Sequence, residues 1–258
     1  MQDKFKLKKI KRNRKILLVI EKFLFFFFQI WNNHREKRSD YGITLLEYFH
    51  KPWLSDEFFL DSVKKVENYT LNPVSRLYQV WIHSKQFIRE DTAFVEIGSW
   101  KGGVSALVSL NLTNSNIKNV DIYCFDTFDG VVMASDKDSF FSGSEYSDAT
   151  VEDVESVFKL TDSNPTIITG TFPESAEKTG FDKKISFVHI DVDTYESAKR
   201  SIMYIKKYLS NNSAILLDDY GGWFTDGITL LGSELLEEEN TIFVPLNTGQ
   251  GLILFKWK

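Results

Sequence analysis

The chain contains 258 residues, of which 43% are hydrophobic and 26% are charged, values typical of a globular protein. This length suits one α/β domain plus an N-terminal extension. The single cysteine, Cys124, excludes an intrachain disulfide and a zinc site built on several cysteines, and it favours a reducing, cytoplasmic compartment. The net charge of −5 is unevenly divided: residues 1–38 carry +9 and residues 39–258 carry −14. So acidic a body argues against nucleic acid as a partner.

Residues 1–38 form a basic and apolar N-terminal extension. Eight lysines and arginines between residues 4 and 15 precede an apolar run over 16–31, which Glu21 and Lys22 interrupt. The run lacks a following small-residue cleavage site and is short for a membrane-spanning helix, which needs about 20 apolar residues. Two interpretations remain open. Residues 1–31 lie as a helix on the anionic inner membrane surface, or they pack against the body or a second subunit of a homo-oligomer.

Residues 39–92 are predicted to form a helical N-terminal region. An apolar stripe marks the first helix, and Pro73 is placed to start the next one. The stripe consists of Phe58, Leu60, Val63 and Val66.

From residue 93 to residue 258, short apolar runs alternate with helical segments. Thr150 and Asp153 form a capping-box pattern at the start of one helix. Because strands without polar alternation are buried on both faces, the pattern predicts a mostly parallel sheet with helices on both sides. The last two runs lie close together in sequence, which favours an antiparallel hairpin. The predicted strands span 93–97, 120–125, 166–169, 185–190, 214–217, 241–244 and 252–255.

A glycine-containing turn follows the first predicted strand and includes Gly98, Ser99 and Gly102. Glu96 stands where the dinucleotide-binding pattern G-x-G-x-x-G would begin with glycine. An acid at this point repels a pyrophosphate and attracts a cation, which suits the sulfonium-bearing part of S-adenosylmethionine. The alternative is a tight connection without a ligand, because glycine also serves ordinary turns.

The second predicted strand ends at Asp126. A carboxylate at this place can accept hydrogen bonds from both hydroxyls of a ribose. Aspartate is also common in turns, so a structural role is the alternative.

Two later predicted strands also end in acids, the first in Asp191 and Asp193 and the second in Asp218 and Asp219. If these strands are neighbours, Asp191, Asp218 and Asp219 converge at one edge of the sheet. Carboxylates that lie close together are costly unless they are protonated or bound to a cation. Oxygen ligands favour a hard ion such as Mg²⁺. Solvated acids at strand ends are the alternative.

Two reactive residue types lie inside predicted strands. Alternation predicts that His189 points away from Asp191 and packs within the sheet instead of acting as a base. Cys124 has no histidine near it in sequence, which argues against a thiol nucleophile.

Several motifs together resemble the macrocin O-methyltransferase (TylF-like) family of class I, S-adenosylmethionine-dependent methyltransferases. The resemblance covers about residues 93–258 and implies a Rossmann-like, seven-stranded sheet with an antiparallel last strand. It also implies a divalent metal and methylation of a sugar hydroxyl, with S-adenosylhomocysteine as product. The motifs are VEIGSWKGG (95–103), FDTFDG (125–130), GTF (170–172), IDVDTYES (190–197) and DDYG (218–221).

The resemblance also implies site residues. Asp191, Asp218 and Asp219 would be the metal ligands. The cofactor would be bound by Glu96, Gly98, Ser99, Gly102, Asp126, Thr127, Gly170 and Thr171.

One segment departs from the family pattern. Members often carry a His-x-Tyr-like segment before the third strand, whereas residues 142–146 contain no histidine. Asp191 and Glu145 are therefore the candidate catalytic residues. The predicted function is a Mg²⁺-dependent O-methyltransferase that acts on a sugar or sugar nucleotide in capsule or lipopolysaccharide biosynthesis. An antibiotic-sugar methyltransferase, a catalytically silent scaffold and a nicotinamide-dependent oxidoreductase are the alternatives, and Glu96 disfavours the last.

Overall fold

A computed structural model describes residues 51–222 and 224–256. The basic extension over 1–38, with its predicted contact with a membrane or a second subunit, lies outside the described residues. The described part of the chain contains no helix with the length and apolar character needed to cross a membrane.

The seven predicted strands form one sheet in the order β3-β2-β1-β4-β5-β7-β6. Strands β1 to β5 are parallel to one another, and β7 is antiparallel to both β5 and β6. The predicted sheet and its terminal hairpin are therefore confirmed. The strands are β1 (Ala93–Ile97), β2 (Asp121–Asp126), β3 (Thr166–Thr169), β4 (Ile185–Ile190), β5 (Leu209–Leu217), β6 (Thr241–Leu246) and β7 (Gln250–Phe255).

Helices cover both faces of this sheet. The predicted capping box is present, because Thr150 and Asp153 each bond the other's backbone N–H. Short 3₁₀ helices occupy Pro52–Ser55, Glu67–Tyr69 and Lys206–Tyr208. The α-helices within residues 51–222 and 224–256 are α1 (Glu57–Val66), α2 (Val74–Phe87), α3 (Gly103–Asn114), α4 (Val151–Phe158), α5 (Glu174–Lys178), α6 (Tyr195–Ile205) and α7 (Asp226–Glu237).

Alternate residues of the central strands belong to different cores. Phe94 of β1 packs with apolar residues of α1 to α4, whereas Val95 packs with residues of α5 to α7. Burial on both faces explains why the strands lack polar alternation in the sequence. Helices α1 and α2 of the predicted 39–92 region thus share a core with the sheet.

The apolar stripe predicted for α1 is wrong by one position at its start. Phe59 is fully buried, whereas Phe58 is 43% exposed. Asp56 caps the helix by accepting the Phe59 N–H, and the buried face then follows the helical spacing Phe59, Val63 and Val66.

The carboxyl ends of β1, β2, β4 and β5 meet at one edge of the sheet. Strand β1 pairs with β2 on one side and with β4 on the other, so the order of strands reverses beside β1. Open α/β sheets bind ligands in the crevice at such a point. A ligand site is therefore expected at this edge.

Candidate active site

The turn after β1 is fixed by close backbone contacts. Gly98 has a φ of +85°, and a Cβ there would lie 1.8 Å from the carbonyl oxygen of Asp191. The N–H groups of Gly98 and Ser99 donate to the Phe125 carbonyl at 2.8 and 3.2 Å. The turn is thus held between the ends of β2 and β4, in a conformation that glycine alone adopts without strain.

Glu96 lies beneath this turn and is 1% exposed. Its Oε2 accepts hydrogen bonds from the backbone N–H and the hydroxyl of Ser105, in the first turn of α3. Its Oε1 lies 3.0 Å from Nδ1 of His189. The carboxylate therefore stabilises the start of α3 and holds His189. Its predicted direct contact with a cofactor stays a prediction.

Asp126 is held at the end of β2 by two backbone groups. The N–H of Trp100 donates to Oδ2 at 2.7 Å, and that of Phe128 donates to Oδ1 at 2.8 Å. Burial raises the pKa of Asp126, although these two N–H groups act in the opposite direction. Each carboxylate oxygen retains a further lone pair, so the group can accept two more hydrogen bonds. The neighbouring Thr127 donates its hydroxyl to the Gly130 carbonyl at 2.8 Å.

Two buried hydroxyls along this half of the edge suit a polar ligand. The Oγ atoms of Ser99 and Ser175 are buried without a hydrogen-bond partner among residues 51–222 and 224–256. Ser175 lines a cavity of about 390 Å³ beside Gly170 and Thr171. Because a buried unpaired hydroxyl costs free energy, both atoms fit a site that a ligand completes. Gly102, with φ +79°, leads into α3 on the same side.

The acids at the ends of β4 and β5 converge in two overlapping groups. Asp191, Asp193 and Asp219 each offer a carboxylate oxygen within 4.8 Å of the others. His189, Asp191 and Asp218 form a second group by the same measure. Strands β4 and β5 are neighbours, as the sequence argument required. The predicted trio is thus divided between the two groups: Asp219 converges with Asp191 and Asp193, and Asp218 converges with Asp191 and His189. Metal binding itself stays a prediction.

Two residues near the start of α2 reach these acids across the sheet edge. The Asn72 amide donates to Oδ2 of Asp191 at 3.0 Å. Nη1 of Arg76 donates to Oδ1 of Asp219 at 2.8 Å and lies 2.7 Å from Oδ1 of Asp218. Nε of Arg76 donates to the Thr248 carbonyl at 3.0 Å, in the loop between β6 and β7.

Asp218 is fully buried and has several partners within the protein. Its Oδ1 accepts the Asp219 N–H at 2.8 Å, and its Oδ2 lies 3.2 Å from Nε2 of His189 and from the Gln250 amide nitrogen. The expectation that His189 points away from Asp191 is therefore wrong. Positions two apart in a strand lie on the same face, so His189 joins the acids and also contacts Glu96.

The charges of this cluster are strongly coupled. Burial acts to lower the pKa of His189, but the hydrogen bonds that its ring donates to the carboxylates of Asp218 and Glu96 raise it to about 10, which favours the protonated imidazole at neutral pH. Burial, together with the neighbouring acids, raises the pKa of Asp191 and of Asp193 well above the usual value. Burial and mutual repulsion therefore make these two carboxylates stronger bases than an exposed aspartate.

Glu145 is engaged in its own loop. It accepts hydrogen bonds from Ser142 N–H and hydroxyl and from Gly143 N–H, at 2.8–2.9 Å. The Ser142 N–H is the main cause that lowers the pKa of Glu145, which makes the group a weaker base. Tyr146 lies nearer the acids: burial raises its pKa, and the charges of Asp193 and Asp219 raise it further. The predicted catalytic role of Glu145 stays untested, and this geometry gives it no support.

Sequence reasoning missed the side chains that neutralise or orient the acids, namely Asn72, Arg76 and Gln250. Asn72 and Arg76 lie 119 and 143 residues before the acids they contact, and Gln250 lies on β7. A lone Arg and a lone Asn at a helix start carry no signal of their own. Gln250 left one weak signal, because it is a polar residue at the start of an otherwise apolar strand.

Comparison with known proteins gives a family and a fold. The sequence model of the macrocin-O-methyltransferase (TylF) family matches residues 67–233. The O-methyltransferase NovP is 16% identical and superposes with a TM-score of 0.61, over 74% of this chain and 83% of NovP. CalS11, a calicheamicin methyltransferase, is 15% identical with a TM-score of 0.55, over 85% of this chain and 99% of CalS11. At these identities the structures show a shared fold. No curated protein sequence matches the chain.

Proposed function

The chain belongs to the macrocin-O-methyltransferase (TylF) family, and we propose that it transfers a methyl group from S-adenosylmethionine to a sugar hydroxyl. One observation carries this proposal. At a single sheet edge, a glycine turn adjoins Asp126 on one side and an aspartate cluster on the other, and the buried hydroxyl of Ser99 in this turn has no partner among the described residues. The first half suits a cofactor with a ribose, and the second suits an acceptor hydroxyl that must lose a proton.

The residues of the cofactor half fit S-adenosylmethionine better than a dinucleotide. Asp126 has acceptor capacity left for the two ribose hydroxyls, and Gly98 keeps the backbone of the turn close to the crevice. Glu96 puts a carboxylate under the turn where a dinucleotide site needs glycine. The cavity beside Gly170 and Thr171 would receive the adenine. These residues hold and orient the cofactor, which supplies the methyl group when bound.

The acid half fits a divalent cation by the chemistry of its donors. Asp191, Asp219 and Asp193 offer converging carboxylate oxygens, the ligand type that Mg²⁺ prefers. Asp218, the third predicted ligand, would hold the ion only by exchanging some of its protein partners. A bound Mg²⁺ lowers the pKa of a hydroxyl that contacts it.

The chain's own residues also handle the proton. The acceptor oxygen gains the methyl group and loses its hydrogen, so a nearby base must take that proton. Asp191 and Asp193 suit this role because burial and the neighbouring acids raise the pKa of each carboxyl above its usual value, which makes each a stronger base. Asn72 orients Asp191, and His189 holds Asp218 and Glu96, so the two halves of the site are linked by one imidazolium.

The acceptor we propose is a sugar of a capsule or lipopolysaccharide precursor, methylated on the cytoplasmic side of the membrane. A basic segment over residues 4–15, next to an apolar run, suits contact with an anionic membrane where such precursors are assembled. Lys outnumbers Arg 24 to 7, a bias typical of AT-rich coding sequences and unusual for the high-GC producers of antibiotics. CalS11, described as a TDP-rhamnose 3′-O-methyltransferase, supports a nucleotide-linked sugar as the form of the acceptor and keeps an antibiotic sugar as the second candidate.

A transfer assay tests the proposal. The full chain is incubated with S-adenosylmethionine and a panel of sugar nucleotides, and products are identified by mass spectrometry. We expect a product one methyl group heavier, formation of S-adenosylhomocysteine, loss of turnover in EDTA and its return with Mg²⁺. Calorimetry with S-adenosylmethionine and with NAD separates the alternatives: binding of NAD alone favours an oxidoreductase, and binding of neither favours a silent scaffold. Full turnover after exhaustive chelation would remove the metal from the mechanism.

A further inference from the structure

Arg76 is a permanent cation that lies directly against two acids of the cluster, Asp218 and Asp219. Its side chain is 18% exposed, and Nη1 lies within 2.8 Å of an oxygen of both Asp218 and Asp219. Nε is anchored on the Thr248 carbonyl. Gly249, with φ +79°, leaves room for the guanidinium, because a Cβ there would lie 2.9 Å from Nη2. The guanidinium is therefore held between the loop after β6, through Thr248 and Gly249, and the acids at the end of β5.

The cluster requires such a charge. Four aspartates, Asp191, Asp193, Asp218 and Asp219, lie at the ends of β4 and β5. The ring of His189 contacts Asp218 and Glu96 through its two nitrogens, so it is not available to Asp219. Within the described part of the chain, Arg76 is the ion-pair partner of Asp219. Asn72, which donates to Asp191, is neutral and adds no charge.

Two partners would compete for the carboxylate of Asp219, namely the guanidinium of Arg76 and a cation bound by the acids. Asp219 is the ion-pair partner of Arg76, and it is also one of the three acids whose oxygens converge with those of Asp191 and Asp193. A dication held by that trio would lie next to the guanidinium, and like charges at such distances repel strongly in a poorly solvated site. Binding of the ion must therefore weaken or displace the contact between Arg76 and Asp219.

We propose that Arg76 is a built-in counter-ion of the acid cluster, which keeps the ion-free protein folded and competes with the divalent cation for Asp219. This inference rests on the proposed metal dependence and assigns a role to a residue outside the predicted ligands. It explains why a fold can keep four buried or half-buried carboxylates together before any ion arrives. It also predicts an ion that binds weakly and exchanges readily.

Mn²⁺ binding and thermal unfolding test this role without any assay of methyl transfer. Free Mn²⁺ is followed by electron paramagnetic resonance for wild type, Arg76→Met and Arg76→Lys, and melting is recorded in EDTA and in Mn²⁺. Lys64→Met is the matched control, because it removes a helix-surface cation paired with the exposed Asp61.

We expect Arg76→Met to bind Mn²⁺ about tenfold more tightly than wild type or better, because the repelling charge is gone. Its melting temperature should fall in EDTA and recover in Mn²⁺, whereas wild type and Lys64→Met should change little. Arg76→Lys keeps the charge without the fork of donors and should lie between them. If Arg76→Met cannot be purified without the ion but folds with it, the result supports the same role.

Two outcomes overturn the inference in different ways. Equal Mn²⁺ affinity of wild type and both Arg76 variants would show that Arg76 does not compete with the ion, and the metal proposal would stand. Absence of Mn²⁺ binding in every protein would remove the metal from the proposed function and the competition with it.

Discussion

In the cofactor half of the sheet edge, backbone N–H groups hold the acid Asp126, whereas in the acid half side chains from distant parts of the sequence hold Asp191, Asp218 and Asp219. The cofactor half is local: its contacts join the turn after β1 to the end of the neighbouring strand β2. The acid half depends on residues from the start of α2 and from β7. One edge of a sheet can therefore combine a site held by backbone geometry with a site held by charge balance.

The two halves should therefore fail separately when their own residues are changed. Damage to the cofactor half should weaken cofactor binding and leave the acids able to bind an ion. Damage to the acid half should stop turnover and leave cofactor binding intact. The exception is Gly98, because this residue is where the two halves touch.

Gly98→Ala should have the largest effect. The new Cβ would meet the Asp191 carbonyl oxygen at 1.8 Å, so the turn must separate from the end of β4. We expect a loss of about 4 kcal/mol or more in the free energy of unfolding, measured by urea denaturation, with loss of both cofactor and Mn²⁺ binding. Gly180→Ala is the matched control: it also has positive φ, +67°, but open space around it, and should cost about 1–2 kcal/mol. Equal costs for the two variants would show that the halves are not pressed together here.

Asp191→Asn should come next, and it should separate the halves. The substitution keeps the shape of the side chain but removes its charge and its ability to take a proton. We expect turnover to fall by about 100-fold or more, with the affinity for S-adenosylmethionine within about twofold of wild type by calorimetry. Asp61→Asn, at an exposed position on α1, is the control. A parallel loss of cofactor binding would contradict the division into two halves.

Asp126→Ala should give the mirror result in the cofactor half. We expect S-adenosylmethionine binding to weaken by about 1–3 kcal/mol, because a charged group that accepts hydrogen bonds is lost. Mn²⁺ affinity should not change, since Asp126 lies outside both groups of converging acids. Asp129→Ala, an exposed acid of the same loop, is the control. Unchanged cofactor affinity in a folded variant would remove Asp126 from the ribose site.

The sequence predicted what local patterns determine. Strands β1, β3 and β4 have the predicted limits, because these short runs of mainly apolar and β-branched residues end at Gly98, Gly170 and Asp191. Gly98 and Asp126 were placed at the sheet edge because they stand at the carboxyl ends of the first and second predicted strands. The charge balance of the acid half could not be predicted in this way, since Arg76 becomes a neighbour of Asp219 only after α2 docks across the edge. The prediction that His189 points away from Asp191 was wrong because residues two apart in a strand lie on the same face of the sheet.

A final prediction concerns the pH dependence of α2, the helix that carries Arg76. His83 of this helix is 7% exposed, its Nδ1 lies 2.8 Å from the Gln79 carbonyl, and its ring stacks on Phe87. Burial lowers the pKa of His83 from 6.5 to about 4. Above pH 6.5 both folded and unfolded chains carry a neutral imidazole, so the group is silent. Between pH 6.5 and 4 the unfolded chain binds a proton at this residue but the folded chain does not. The free energy of unfolding therefore decreases as the pH is lowered.

By pH 5 this single group should lower the free energy of unfolding by about 2 kcal/mol relative to pH 7. His83→Gln should flatten the profile by that amount, measured by urea unfolding of both proteins at each pH. Amide hydrogen exchange measures the opening of each element separately. As the pH falls, we expect α2 to lose protection before β1, and the acid half to open before the cofactor half. If His83→Gln and wild type show the same pH dependence, protonation of His83 is not the cause of the loss of stability in acid.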